Sequence, residues 1–209
     1  TSSLVGSEMC IRDSANTCNG TDGLNKAKKM TGLQAKELNL KADDILVAST
    51  GVIGVPLNID AIKSGIPLLT QKLSKEGHDD ASSAIMTTDT VKKELALEFT
   101  IGDKVVTIGA MAKGSGMIEP NMGTMLSFIT TDIAITPELL DEALKSCVKV
   151  TYNRVSVDGD TSTNDSVFIL ANGLAENNLI SEKNEDYETF LKALTDLNTI
   201  MAVSYTHLR

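Results

Sequence analysis

Between residues 95 and 101 every second side chain is apolar: Leu95, Leu97, Phe99 and Ile101 alternate with Ala96, Glu98 and Thr100. Gly102-Asp103 interrupts the pattern, and an apolar run resumes over residues 105–110. A period of two places alternate side chains on opposite faces of an extended chain, and a glycine-containing dipeptide between two such runs is a hairpin signal. A two-stranded ribbon with one apolar face is not stable alone, so the rest of the chain must cover it. Residues 125–135 and 166–171 read as further apolar strands and residues 44–49 as a short one. Helical spacing marks residues 21–38, and residues 60–73 with Ile62, Ile66, Leu69 and Leu73 on one face, Asp60 as cap and Pro67 as a kink. Pro137 opens a third helix with Leu139, Leu140, Ala143, Leu144 and Val148, and residues 187–201 form a fourth with Phe190, Leu191, Leu194 and Leu197 inward. With no internal repeat and no dividing linker, the expected class is mixed α/β (α+β) in one domain.

The two ends share an inverted coding sequence. Met9 to Asp13 can be written ATG TGT ATA AGA GAC, whose reverse complement reads Val-Ser-Tyr-Thr-His, the residues found at 203–207. Ser7-Glu8 written TCG GAG extends the match to Leu208-Arg209. Residues 1–14 and 203–209 are accordingly read as adapter-derived and set aside. Residues 15–202 are then expected to be part of a domain incomplete at both ends.

Setting those ends aside leaves the net charge at −9, one histidine (His78) and two cysteines (Cys18 and Cys147). An acidic balance argues against nucleic acid as a partner, which calls for a basic stripe. No apolar run approaches the roughly 18 residues of a membrane helix. Two cysteines without metal or redox spacing fit a reducing compartment.

The segment KGSGMIEPNMGTMLSF, residues 113–128, puts Thr124 directly after Gly123 in a Gly- and Met-containing loop, at the start of an apolar strand. A threonine hydroxyl is a weak nucleophile. At a chain start, however, it lies beside an α-amine of pKa about 7.7 to 8.0, a base it carries itself. If the Thr124 hydroxyl attacks the Gly123 carbonyl, an N-to-O acyl shift gives an ester, and hydrolysis of the ester frees that amine.

Five blocks in order, ANTCNG (15–20), VASTGVIG (47–54), AIMTTDT (84–90), KGSGMIEPNMGTMLSF (113–128) and SVDGDTSTND (156–165), resemble the ornithine acetyltransferase family, also called the bifunctional glutamate N-acetyltransferases of arginine biosynthesis. The resemblance implies an αββα-type sandwich and cleavage before Thr124, dividing residues 15–123 (α-chain part) from 124–202 (β-chain part), the two chains staying associated as a heterotetramer. It further implies ping-pong transfer of acetyl from N-acetylornithine to glutamate, with Thr124 as nucleophile, Thr50 and Gly51 as the oxyanion pair, and Thr87 and Lys113 on substrate. No metal or nucleotide cofactor is implied; acetyl-CoA is a co-substrate in bifunctional members only. The expected compartment is the cytoplasm, or the mitochondrial matrix for a eukaryotic source. Most members have alanine where Gly123 stands, which removes a methyl group and adds backbone freedom. The family's substrate-binding glutamate falls just beyond Met201 and is missing here, so the 209-residue chain as written is expected to be inactive.

Each assignment has a plainer alternative. Ser49-Thr50-Gly51 suits an ordinary strand-to-helix turn, and an isolated lysine such as Lys113 is ordinarily a solvated surface charge. Asp158, Asp160, Ser162 and Asn164 sketch a calcium loop, but Thr163 stands where glycine is needed and Ile169 where a closing glutamate is needed. Gly114 and Gly116 are not followed by GK[ST], and His78 sits in a polar stretch read as an exposed loop. Cys18 and Cys147 read as packing residues. Within catalysis, a self-processing N-terminal-threonine aminopeptidase or amidase uses the same nucleophile and differs in letting water resolve the acyl-enzyme.

Overall fold

The computed structural model describes residues 3–4, 20–50, 55–114, 125–155 and 165–207, with side chains over 20–50, 55–114, 125–155 and 165–204. The chain divides into two compact units, residues 9–81 and residues 1–8 with 82–209.

In the first unit, α1 (Gly20–Leu38) buries Ala27 and Ala35 and packs with α2 (Ile59–Gln71). Helix α2 does not begin at an Asp60 cap. Asn58 is the cap, its side chain accepting from the Ala61 N–H at 3.1 Å, while Asp60 lies in the first turn. The inward stripe is also rotated from the expected one: Ile66 is buried, whereas Leu69 and Leu73 are 64% and 69% exposed. Residues 44–49 form no strand. A short 3-10 turn (Ala42–Asp44) precedes Ile45, whose backbone is extended (φ −108°, ψ 118°), but the segment joins no ladder among the described residues. An apolar run fixes extension; pairing needs a neighbour that the pattern does not specify.

The second unit carries the predicted hairpin, β2 (Lys93–Ile101) with β3 (Lys104–Lys113). Ile101 faces Lys104 across Gly102-Asp103. Gly102, at φ +60°, takes the first central position of a two-residue turn with a positive φ that glycine adopts without strain. Strand β4 (Leu126–Thr131) pairs antiparallel with β3, and β5 (Ser166–Ala171) parallel with β4. With β1 (Ser3–Leu4), the sheet order is β1-β5-β4-β3-β2. The fold is mixed α/β, as expected from the alternation of strand and helix patterns; among the described residues it has one sheet with a helical layer.

Strand β4 stops short of residue 135. Asp132 leaves the ladder, its carboxylate accepting the Thr107 N–H at 2.8 Å, and Asn177 then stands in for a neighbouring strand. The Asn177 amide accepts the Ala134 N–H at 2.8 Å and donates to the Ala134 carbonyl at 3.1 Å. Backbone groups are satisfied there by side chains, which a hydrophobic pattern does not encode.

Helix α4 (Pro137–Val150) starts with proline in its first turn and buries Leu140, Ala143, Leu144 and Cys147. Helix α5 (Glu185–His207) runs beyond the expected residue 201, packs across β2 and β3 and against α4, and places Phe190, Leu194 and Leu197 in the core. Asn184 caps it by accepting the Tyr187 N–H at 3.1 Å. His78 is exposed but begins a short helix, α3 (His78–Ala84), rather than lying in a loop. Phe190 is fully buried, so Phe190→Ala should lower the unfolding free energy by about 3–5 kcal/mol. Val105→Thr, on the exposed face of β3, should change it by less than about 0.5 kcal/mol. Chemical denaturation of the three proteins checks both, and a loss at Val105 equal to that at Phe190 would contradict the packing described.

Candidate active site

The start of β2, the end of β3, the start of β4 and the start of β5 meet at one end of the sheet. In register, Lys93 faces Ala112, Lys113 faces Leu126, and Leu126 faces Ser166. Among the described residues, four ionisable side chains are buried there: Asp89 and Lys93 at the entry to β2, Lys113 at the end of β3, and Asp165 just ahead of β5. Burying charge is costly unless each group is compensated by hydrogen bonds or an opposite charge.

Asp89 is compensated on both oxygens. Oδ1 accepts from Lys93 Nζ at 2.6 Å and from the Gly114 N–H at 2.8 Å, and Oδ2 accepts from the Thr87 N–H at 3.2 Å. Both side chains of the Asp89–Lys93 pair are 1% exposed. Burial pushes the Asp89 carboxyl upward, but the Lys93 ammonium and the two backbone N–H groups together hold it below its ordinary value of 3.8. Gly114, at φ +142°, occupies backbone space that L side chains rarely enter, and this lets its N–H turn toward the carboxylate.

Lys113 is 2% exposed, so the expectation of a solvated surface charge does not hold. Along β3, Val106, Ile108, Ala110 and Ala112 point into the core, and the alternation puts Lys113 on the other face, buried nonetheless. Burial pushes its ammonium below the ordinary lysine value, Asp89 and Asp165 oppose that shift, and Lys93 adds to it. Asp165 Oδ1 accepts the Met125 N–H at 2.7 Å, while the Ser166 N–H donates to the Met125 carbonyl at 3.0 Å. Both backbone polar groups of Met125 are thus held by the start of β5.

Thr87 is exposed, and its backbone shares Asp89 with Gly114; Thr87 and Lys113 are therefore tied together through one carboxylate. Thr50 is half-buried and belongs to the first unit, following residues 45–49, which join no strand among the described residues. Gly51, Gly123 and Thr124 lie outside the described residues, as do Cys18, Gly116 and the suggested calcium loop from Asp158 through Ser162, Thr163 and Asn164. Among the described residues no three His, Cys, Asp or Glu side chains are placed to share a metal ion, and no helix is long and apolar enough to cross a membrane. Cys147 is packed in the core, where burial pushes its thiol up and away from nucleophilic use. Tyr152 is likewise buried, its hydroxyl 3.1 Å from Ser127 Oγ, and burial moves it far above the ordinary phenol value.

Asp89, Lys93 and Asp165 were not singled out by sequence. Asp89 and Asp165 lie inside the blocks AIMTTDT and SVDGDTSTND. An Asp and a Lys four apart look like a helical surface pair, whereas here they straddle a turn into a strand.

The ArgJ family model matches residues 9–206. This chain belongs to the ArgJ family. Similar curated relatives are the arginine biosynthesis bifunctional protein ArgJ 1 of Clostridium acetobutylicum, 56% identical over 184 residues (88% of this chain, 45% of the relative), and the ArgJ proteins of Caldanaerobacter subterraneus, 48% identical over 188 residues (90% and 47%), and Bacillus subtilis, 48% identical over 180 residues (86% and 44%). The chain spans about half the length of the curated relatives it matches. A crystal structure of ArgJ from Bacillus halodurans aligns over 53% of this chain and 58% of its own, at 40% identity and a TM-score of 0.47.

The Asp89 shift carries a pH dependence. A carboxyl whose folded value lies below its unfolded one stabilises the fold above the unfolded value, and that contribution is lost as pH falls through the folded value. The difference in unfolding free energy between this ArgJ chain and its Asp89→Asn variant should therefore shrink as pH drops below 3.8. Denaturant titrations from neutral pH downward measure it, and a difference independent of pH would contradict the buried, charged Asp89.

Proposed function

We propose that the polypeptide carrying this sequence is a glutamate N-acetyltransferase that moves the acetyl group of N-acetylornithine to glutamate after self-cleavage between Gly123 and Thr124. Family membership and the bifunctional arginine-biosynthesis naming of the relatives support the reading. The observation that carries it is the burial of Lys113 at the end of β3, directly opposite Leu126, which follows Thr124 by two residues in the sequence. A buried lysine in that setting offers a point charge to a substrate carboxylate.

The chemistry runs in two stages. Attack of the Thr124 hydroxyl on the Gly123 carbonyl breaks the peptide C–N bond and forms an ester, the amide nitrogen taking the proton; water then hydrolyses the ester and releases Thr124 with a free α-amine. In the second stage that amine accepts the hydroxyl proton as Thr124 Oγ1 attacks the acetyl carbonyl, and ornithine departs with the transferred proton. The glutamate amine attacks the acetyl ester, giving N-acetylglutamate and restoring the hydroxyl. Thr50 and Gly51 are the donors proposed for the tetrahedral oxyanion, each worth roughly 2.7–4 kcal/mol in such a role. Thr87 and Lys113 orient the substrate. No metal or nucleotide takes part; acetyl-CoA serves as a further acetyl donor where the enzyme is bifunctional. The cleaved chains remain associated as a heterotetramer, and the enzyme works in the cytoplasm.

In the full-length polypeptide, Thr124→Ala should abolish both the appearance of two chains on denaturing mass analysis and the transfer of labelled acetyl from N-acetylornithine to glutamate. An uncleaved variant with full transfer activity would sink the reading. Release of free acetate in place of N-acetylglutamate would make the protein a hydrolase.

A further inference from the structure

We propose that Asp89 is a positioning residue that sets the substrate-binding geometry of Lys113 and Thr87. The inference rests on the acetyltransferase reading of those two residues and goes beyond it, because Asp89 has no assigned part in the reaction.

The geometry gives Asp89 two separate handles. Its Oδ1 holds the N–H of Gly114, the residue bonded to Lys113, at 2.8 Å, and its Oδ2 holds the N–H of Thr87 at 3.2 Å. One rigid carboxylate therefore fixes the backbone beside the cation and the backbone of the exposed threonine in a single frame. Lys93 Nζ, 2.6 Å away and equally buried, fixes the carboxylate in turn. An apolar residue at position 89 would fill space but leave two backbone donors without this acceptor.

Charge adds to this placement. Among the described residues, the ionised groups that act on Lys113 are Asp89 and Lys93 from the entry to β2 and Asp165 from the entry to β5; Leu126, its partner on β4, is apolar. Burial favours the neutral amine of Lys113, and Asp89 is the largest influence opposing it. A lysine that binds a carboxylate must stay protonated, so Asp89 extends the pH range over which the site accepts its substrate.

Asparagine keeps an acceptor oxygen and the shape of the side chain while removing the charge. Glutamate keeps the charge and displaces it by a methylene. In the full-length enzyme, Asp89→Asn should raise KM for N-acetylornithine about tenfold, equivalent to about 1.4 kcal/mol, with kcat changed less than about threefold. The alkaline limb, where KM rises as Lys113 loses its proton, should move to lower pH. Asp89→Glu should keep the limb of the wild type while raising KM, and it serves as the charged variant if asparagine disturbs folding. A structural role alone would lower the amount of folded enzyme without moving the limb. Wild-type KM and limb in folded Asp89→Asn, or a loss confined to kcat, would overturn the proposal. Should the wild type transfer no acetyl at all, the acetyltransferase reading fails; carbon NMR titration of Lys113 Cε then decides, a lower midpoint in Asp89→Asn supporting the electrostatic coupling and an unchanged one refuting it.

Discussion

Two carboxylates, Asp89 and Asp165, stand at one end of the sheet where charge is expensive; Asp89 is made tolerable by two backbone N–H groups and the Lys93 ammonium, and Asp165 by the Met125 N–H and the nearby charge of Lys113. The compensation runs in both directions. Asp89 needs Gly114 and Thr87, and those residues take their places from Asp89; Asp165 needs the Met125 N–H, and Met125 is held at the mouth of β4 by it. Replacing such a cluster with apolar residues of similar volume often leaves stability unchanged or raises it. Its presence at the strand ends is therefore better understood through what it places than through what it stabilises.

The rest of the second unit serves as the frame. Phe190, Leu194 and Leu197 of α5 fill the space over β2 and β3, and Leu140, Ala143 and Leu144 of α4 pack behind them. The registers of β3 with β4 and of β4 with β5 then bring Lys113, Met125 and Asp165 to the same level. A one-residue slip would turn Lys113 to the opposite face, so the apolar alternation of Val106, Ile108, Ala110 and Ala112 specifies the site as well as the core.

The elements with an unambiguous period were legible from residues alone. The hairpin around Gly102, the strand at 166–171 and the helix opened by Pro137 follow directly from alternation, turn chemistry and capping rules. What failed depended on partners distant in sequence. Residues 44–49 have the composition of a strand but no neighbour to pair with among the described residues, and the end of β4 is decided by Asp132 and Asn177, whose side chains substitute for a ladder. The apolar residues of α2 are spread around the helix, so spacing alone does not fix its inward face; α2 packs with α1, burying Ile66 and leaving Leu69 exposed. Lys113 and Thr87 are proposed for the site from motif resemblance, not spacing, and the structure adds that Lys113 is buried. Asp89, Lys93 and Asp165 escaped because a buried ion pair and a surface one share the same residue types; only the fold distinguishes them.

The strand-end cluster is proposed to present Lys113 to a substrate carboxylate. A crystal structure of the full-length protein bound to N-acetylornithine tests it most directly. The ligand carboxylate should lie within about 2.7–3.2 Å of Lys113 Nζ, with Asp89 still joined to Gly114 and Thr87. A ligand seated away from this sheet end, with Lys113 contacting protein groups alone, would contradict it.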